Sequence, residues 1–141
     1  MKKRTYLQSA VAASAMLFAL TSTTVMAAPP KFLTETLAET STPGIMQGFA
    51  ALKAPDAPLD AKTTHLIALA VSAQIPCQYC VYAQSTQARA HGATEAELKH
   101  AITTAGYVRM FSTALYGMNY DYDKLTAEVD ARATAAKQKS K

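Results

Sequence analysis

The chain reads as an all-α protein, a compact helical domain of about six helices with a Cys-x-x-Cys pair at one helix start. Three observations predict this. Beyond residue 27, proline and glycine fall only at plausible element ends. No stretch alternates polar and apolar residues for long enough to read as a strand. Between the breakers, apolar residues recur at three- and four-residue spacing, as in Leu66, Leu69, Ala70 and Ala73, which aligns them on one face of a helix.

The first residues read as a processing signal rather than as fold. Lys2, Lys3 and Arg4 precede an apolar run over residues 10–20, a Thr/Ser stretch and the small-residue site Val25, Met26, Ala27, the pattern of a Sec-type secretory leader. The run falls short of the roughly 20 residues of a membrane span. Cleavage after Ala27 leaves one domain, residues 28–141, with 11 Lys+Arg against 10 Asp+Glu. That balance gives a nucleic-acid partner no electrostatic support. Export places the domain in the periplasm or outside the cell, with no membrane association once the leader is gone.

Each helix is then justified in order. Residues 31–40 form a short candidate with Phe32, Leu33 and Leu37 apolar, and Pro43 suits the first turn of a second, through Met46, Phe49 and Leu52. After a connector at 53–58, Asp60 caps a helix whose stripe of Leu66, Leu69, Ala70 and Ala73, widened by Ile67 and Val71, predicts near-complete burial; Pro76 stops it. The next helix spans about 77–91 and ends at Gly92. Thr94 and Glu97 make a capping box for a helix through Leu98, Ile102 and Ala105, which either continues past Gly106 or breaks there before Met110, Phe111, Ala114, Leu115 and Met118. The Met and aromatic residues of 107–120 read as core or subunit interface rather than as a pocket lining. A turn at 120–123 precedes a peripheral last helix through Leu125 and Val129.

Cys77 and Cys80 are the only cysteines. Their spacing allows one disulfide or one shared redox task, and at a helix start the unpaired N–H groups and positive dipole end favour a thiolate. In an oxidising compartment the disulfide is the expected resting state. As a structural staple it would contribute little, about 2 kcal/mol for so short a loop. Zinc is not expected: there is no second cysteine pair, and His91 and His100 stand nine residues apart. Nothing in the sequence calls for a cofactor.

The run from His65 to Ser72, then Cys77-Gln78-Tyr79-Cys80, then His91-Gly92-Ala93-Thr94-Glu95-Ala96-Glu97-Leu98 resembles the carboxymuconolactone decarboxylase and alkylhydroperoxidase D-like superfamily over roughly residues 46–118. The resemblance implies an all-helical, usually oligomeric fold and often a peroxidase or disulfide reductase activity. In redox-active members the second cysteine attacks peroxide and the first resolves it, with a glutamate and a histidine as proton relay. By position, Cys80 is then peroxidatic and Cys77 resolving, while the glutamate position holds His65 and the histidine position Gln84. Tyr79 and Gln84 are the substrate-binding candidates.

If Pro76 turns the chain between antiparallel helices, His65 and Gln84 face each other, which leaves one imidazole beside the thiols. As a cation it would stabilise a thiolate; neutral, it would accept the thiol proton. The plainer alternative makes His65 a half-buried helix residue with no role. His91 and His100 read as surface residues. Helix electrostatics favours Cys77 as the more acidic thiol, whereas the resemblance favours Cys80.

The expected function is that of an exported thiol oxidoreductase acting on a peroxide or small disulfide and reset by an outside thiol donor, such as a periplasmic thiol–disulfide protein, in a homo-oligomer. Two alternatives stand beside it. One is decarboxylation of a lactone acid, for which Arg89 and Arg109 are the mid-domain carboxylate holders. The other is a non-catalytic helical oligomer with a structural disulfide.

Overall fold

Six helices, and no strand, make up the described residues, 28–140, of the computed structural model. The leader expected at residues 1–27 lies outside them. The helices are α1 (Lys31–Thr36), α2 (Thr42–Ala51), α3 (Ala61–Gln74), α4 (Gln78–Ala90), α5 (Glu95–Gly117) and α6 (Tyr122–Lys139). None of them is long and apolar enough to cross a membrane.

Caps set the boundaries around the centre of the molecule. The Asp60 carboxylate accepts from the Thr63 N–H at 2.7 Å and starts α3. At the end of α4, the Gly92 N–H donates to Arg89 O and the Ala93 N–H to Ala88 O, both at 2.9 Å. This is the Schellman arrangement, and Gly92 takes its left-handed position at φ 83°, where a Cβ would be strained. Two residues later the capping box forms as read: the Glu97 N–H donates to Thr94 Oγ1 at 3.2 Å, and the Thr94 N–H to Glu97 Oε2 at 2.7 Å. Not every glycine ends an element, however. Gly48 lies inside α2, and α5 runs unbroken through Gly106 to a second left-handed stop at Asn119.

Packing centres on α3, which lies against both α4 and α5. Leu69, Ala88 and Leu98 form the buried cluster, with Leu66, Val81 and Ala93 packed on it. Polar ties hold α5 at two levels: Lys62 Nζ to Glu97 Oε1 at 2.7 Å, and Gln74 Nε2 to Ala105 O at 2.8 Å. Start therefore meets start, so α3 and α5 run in the same direction, and α4 returns antiparallel to both.

One expectation about burial is corrected and another narrowed. Helix α3 is not nearly buried: Ile67 is 50% and Val71 54% exposed, and Ala73 is exposed as well. Two neighbours cannot surround a helix, so its remaining face stays open. The Met and aromatic residues after Gly106 are not core of this chain either, with Tyr107, Met110, Phe111 and Met118 all more than half exposed. Helix α6 buries none of its residues, in keeping with a peripheral element.

Candidate active site

Two facing stripes build the site. On α3, His65, Leu69 and Ser72 are buried; on α4, Cys80, Gln84 and Ala88 follow one another at helical spacing, and His91 caps the end. The hairpin turn brings the stripes together. At its closed end the Cys77 N–H donates to Ser72 O at 3.2 Å, and the Ser72 hydroxyl donates back to Ala68 O at 2.6 Å. A buried serine thus anchors the backbone of the first cysteine.

Cys77 itself is the N-cap of α4. Its sulfur accepts from the Cys80 N–H at 3.2 Å, in the place where Ser, Thr, Asp or Asn ordinarily puts an oxygen. Cys77 and Cys80 form a disulfide with Cα atoms 5.2 Å apart. No acidic residue occupies the first turn of α4, so no carboxylate there offsets the positive end of the helix dipole. After reduction, the N-cap sulfur is the better placed of the two to carry negative charge. Exposure does not separate the cysteines, since both are half-buried. Tyr79, expected beside the substrate, is 79% exposed on the same turn.

His65 and Gln84 do meet across the hairpin, with His65 Nδ1 2.7 Å from Gln84 Oε1. The imidazole donates, because an amide oxygen only accepts. Its other nitrogen, Nε2, is buried with no partner. His91 lies on top: its ring stacks on His65 with centroids 5.3 Å apart and planes 19° from parallel. The reading of His91 as a surface residue is correct for its exposure and misses this contact. A signal existed, since residues 80, 84, 88 and 91 share one face of α4. His100 instead borders the shallow cleft between α3 and α5, with Thr63, Leu66, Ile67 and Ala70, which contains neither cysteine.

Of the two arginines expected to hold a lactone acid, Arg89 is already engaged. Arg89 makes a two-pronged pair with Glu95 across the Gly92 corner, at 2.6 and 3.2 Å, which holds the Glu95 carboxyl below its ordinary range. Arg109 lies on the exposed stretch of α5. Among the described residues, no three His, Cys, Asp or Glu side chains cluster as a metal site would need.

Neither a curated protein nor a solved structure matches the chain. The sequence model of the carboxymuconolactone decarboxylase family matches residues 43–120, slightly beyond the 46–118 read from the motifs. That span holds α3, the Cys-x-x-Cys, the capped corner and α5, and takes in more than half of the sequence. By that match the chain belongs to the carboxymuconolactone decarboxylase family.

Proposed function

We propose that the mature protein is an exported thiol oxidoreductase that cycles Cys77 and Cys80 between dithiol and disulfide, with a peroxide or small disulfide as oxidant. The observation that carries this is the N-cap: the Cys77 sulfur accepts the Cys80 N–H at 3.2 Å, which stabilises a thiolate on Cys77, the thiol that closes the disulfide and exchanges with an outside partner. The imidazole of His65, one turn further along the hairpin, supports the same reading as a proton acceptor.

With a hydroperoxide, the Cys80 thiolate attacks the terminal oxygen and the O–O bond breaks. The alkoxide leaves as alcohol once protonated, and Cys80 is left as a sulfenic acid. The Cys77 thiolate then attacks that sulfur, hydroxide departs as water after protonation, and the disulfide closes. One peroxide is reduced by two electrons and two thiols are oxidised to one disulfide. An outside dithiol, or two small thiols, resets the pair by exchange and becomes oxidised in turn. For exchange with another protein's disulfide, Cys77 is the assigned nucleophile, because the N-cap position is its own. Periplasmic localisation and self-association belong to the same proposal. The first rests on the leader pattern, and the second on the exposed apolar surface of α5.

The test uses the mature protein after reduction and removal of the reductant. One equivalent of cumene hydroperoxide is added, and the thiols are trapped and counted by mass spectrometry. Both thiols are expected to disappear together, whereas Cys77→Ser should stop at a sulfenic acid on Cys80. Persistence of both thiols in the wild type would remove the peroxidase reading.

A further inference from the structure

From Thr63 through Ala88 the chain carries no Asp, Glu, Lys or Arg, although 17% of its residues are charged. That span is the α3–α4 hairpin as far as its open end, where Lys62 and Arg89 are already paired with Glu97 and Glu95. Level with the closed end, α5 presents Ala105, whose carbonyl accepts from Gln74, and its next charged residue, Arg109, comes a turn later. The large side chains within two residues of a cysteine are apolar and open to solvent: Ile75 is 63% exposed, Tyr79 79% and Tyr82 75%. The cleft between α3 and α5 and the hollow bordered by Ser112, Tyr116 and Leu125 contain none of these residues. The disulfide therefore sits in an outward, uncharged tip. Such a surface offers no cation to the carboxylates of a small anionic thiol and little enclosure to a neutral one, whereas an extended chain lying across it gains many contacts.

We infer that this tip is a docking face for an extended polypeptide dithiol whose cysteines are flanked by apolar, uncharged residues, and that the protein passes its disulfide to that chain. This rests on the thiol cycle proposed above, of which it names the thiol donor. The disulfide itself selects the occupant, because only a partner that brings thiols to the middle of the face returns the pair to its reduced state. In the exchange, a thiolate of the incoming chain attacks the Cys77 sulfur, the Cys77–Cys80 bond breaks, and its electron pair leaves on Cys80, which takes up a proton. The second thiolate of the chain then attacks the chain's own sulfur in the mixed disulfide and releases Cys77. That leaving sulfur is the N-cap, placed to accept the Cys80 N–H at 3.2 Å, so its departing charge is stabilised. Two electrons and two protons pass from the chain to the pair, and the chain keeps a disulfide.

The test follows reduction of the oxidised mature protein by three unstructured peptides, each with two cysteines, flanked by Leu and Tyr, by Lys or by Glu. Each rate is scaled by that peptide's rate with hydroxyethyl disulfide, which removes differences between the peptide thiols. For variants it is also scaled by reduction with dithiothreitol, which removes differences in the disulfide itself. The Leu/Tyr peptide should be about tenfold faster than either charged one, and salt should change its rate by less than about twofold. Ile75→Ser combined with Tyr82→Ser should bring it down to the charged peptides, while Val129→Ser on α6 should leave its advantage intact. Equal scaled rates, a faster Lys or Glu peptide, or an advantage that survives the double substitution overturns the docking face. An advantage that vanishes as protein concentration and mass rise together assigns the tip to a second copy and also overturns it. Should the double variant lose helix content by circular dichroism, Tyr79→Ser takes its place with the same expectation. A Leu/Tyr advantage in a protein whose thiols hydroperoxide leaves untouched sinks the peroxidase reading alone. Hydroperoxide turnover with equal peptide rates sinks this inference alone.

Discussion

The α3–α4 hairpin with the start of α5 and the far half of α5 with α6 are built from similar helices but differ in what they leave unsatisfied. In the first region the caps and ion pairs are closed within the chain, although Ile67, Val71 and Ile75 leave one face of α3 open: Asp60, the Thr94–Glu97 box and the Gly92 stop each find their partners. In the second, Tyr107, Val108, Met110, Phe111, Tyr116 and Met118 stand open to solvent. Among the described residues the buried apolar ones are Leu69, Ala88, Leu98 and Ala105, few for a domain of this size. The difference teaches that the site is held by local structure, whereas the remaining apolar surface calls for a cover. We propose that further copies of the chain supply it.

The sharpest way to break this comparison is at its centre. Leu69 is fully buried between α3 and its neighbours, so Leu69→Ala should lower stability by about 2–5 kcal/mol, read from urea unfolding. Val129→Ala on α6, at a residue 54% exposed, should change it by no more than about 0.5 kcal/mol. Similar values for the two would mean that the hairpin is not where the fold is held. A second effect tests the cover. Phe111→Asp puts a charge on the open face of α5 and should weaken self-association by about 2 kcal/mol or more, seen as a lower mass in light scattering. A wild type that is already monomeric at micromolar concentration defeats the oligomer proposal.

The same contrast explains what was legible in the sequence. Caps and stops depend on residues within a turn of one another, which is why Asp60, Gly92 and the Thr94–Glu97 box could be read directly. The meeting of His65 with Gln84 was legible because a hairpin about Pro76 fixes which residues oppose each other. His91 was missed because its contact depends on where the end of α4 lands beside the start of α3, a tertiary fact with only a weak stripe to announce it. The aromatic run after Gly106 left core and interface undecided for a related reason: helical spacing shows that a face is apolar, not what covers it. Gly106 was undecided because one glycine costs a helix interior only about 1 kcal/mol, which the rest of α5 can absorb.

A smaller effect lies where the two regions join, at the start of α5. Thr94→Ala removes the acceptor for the Glu97 N–H and should cost about 1 kcal/mol, with Thr94→Ser recovering most of it. A loss confined to the far half of α5 in hydrogen exchange, with the hairpin unchanged, would mean that the box serves the peripheral region and not the site.

The smallest expected effect is the dependence of stability on acid. Glu97 accepts from Lys62 Nζ at 2.7 Å and from the Thr94 N–H, and these contacts, with Lys62 foremost, hold its carboxyl down from 4.5 to about 2. A lowered carboxyl favours the folded state fully above its ordinary value and loses that contribution as pH falls from about 4.5 to about 2. The side chain is 38% exposed, so water and salt screen much of the attraction. Glu97→Gln keeps an acceptor for the Thr94 N–H but cannot titrate, so its stability should fall less steeply through that window, and the gap between the two proteins should close near pH 2. Some slope should persist in the variant, because Asp60 and Glu95 are also lowered by their partners. Parallel acid limbs for wild type and Glu97→Gln would show that the Lys62 pair adds nothing to folding, and would leave Gln74 with the Ala105 carbonyl, together with apolar packing, as what ties α5 to the hairpin.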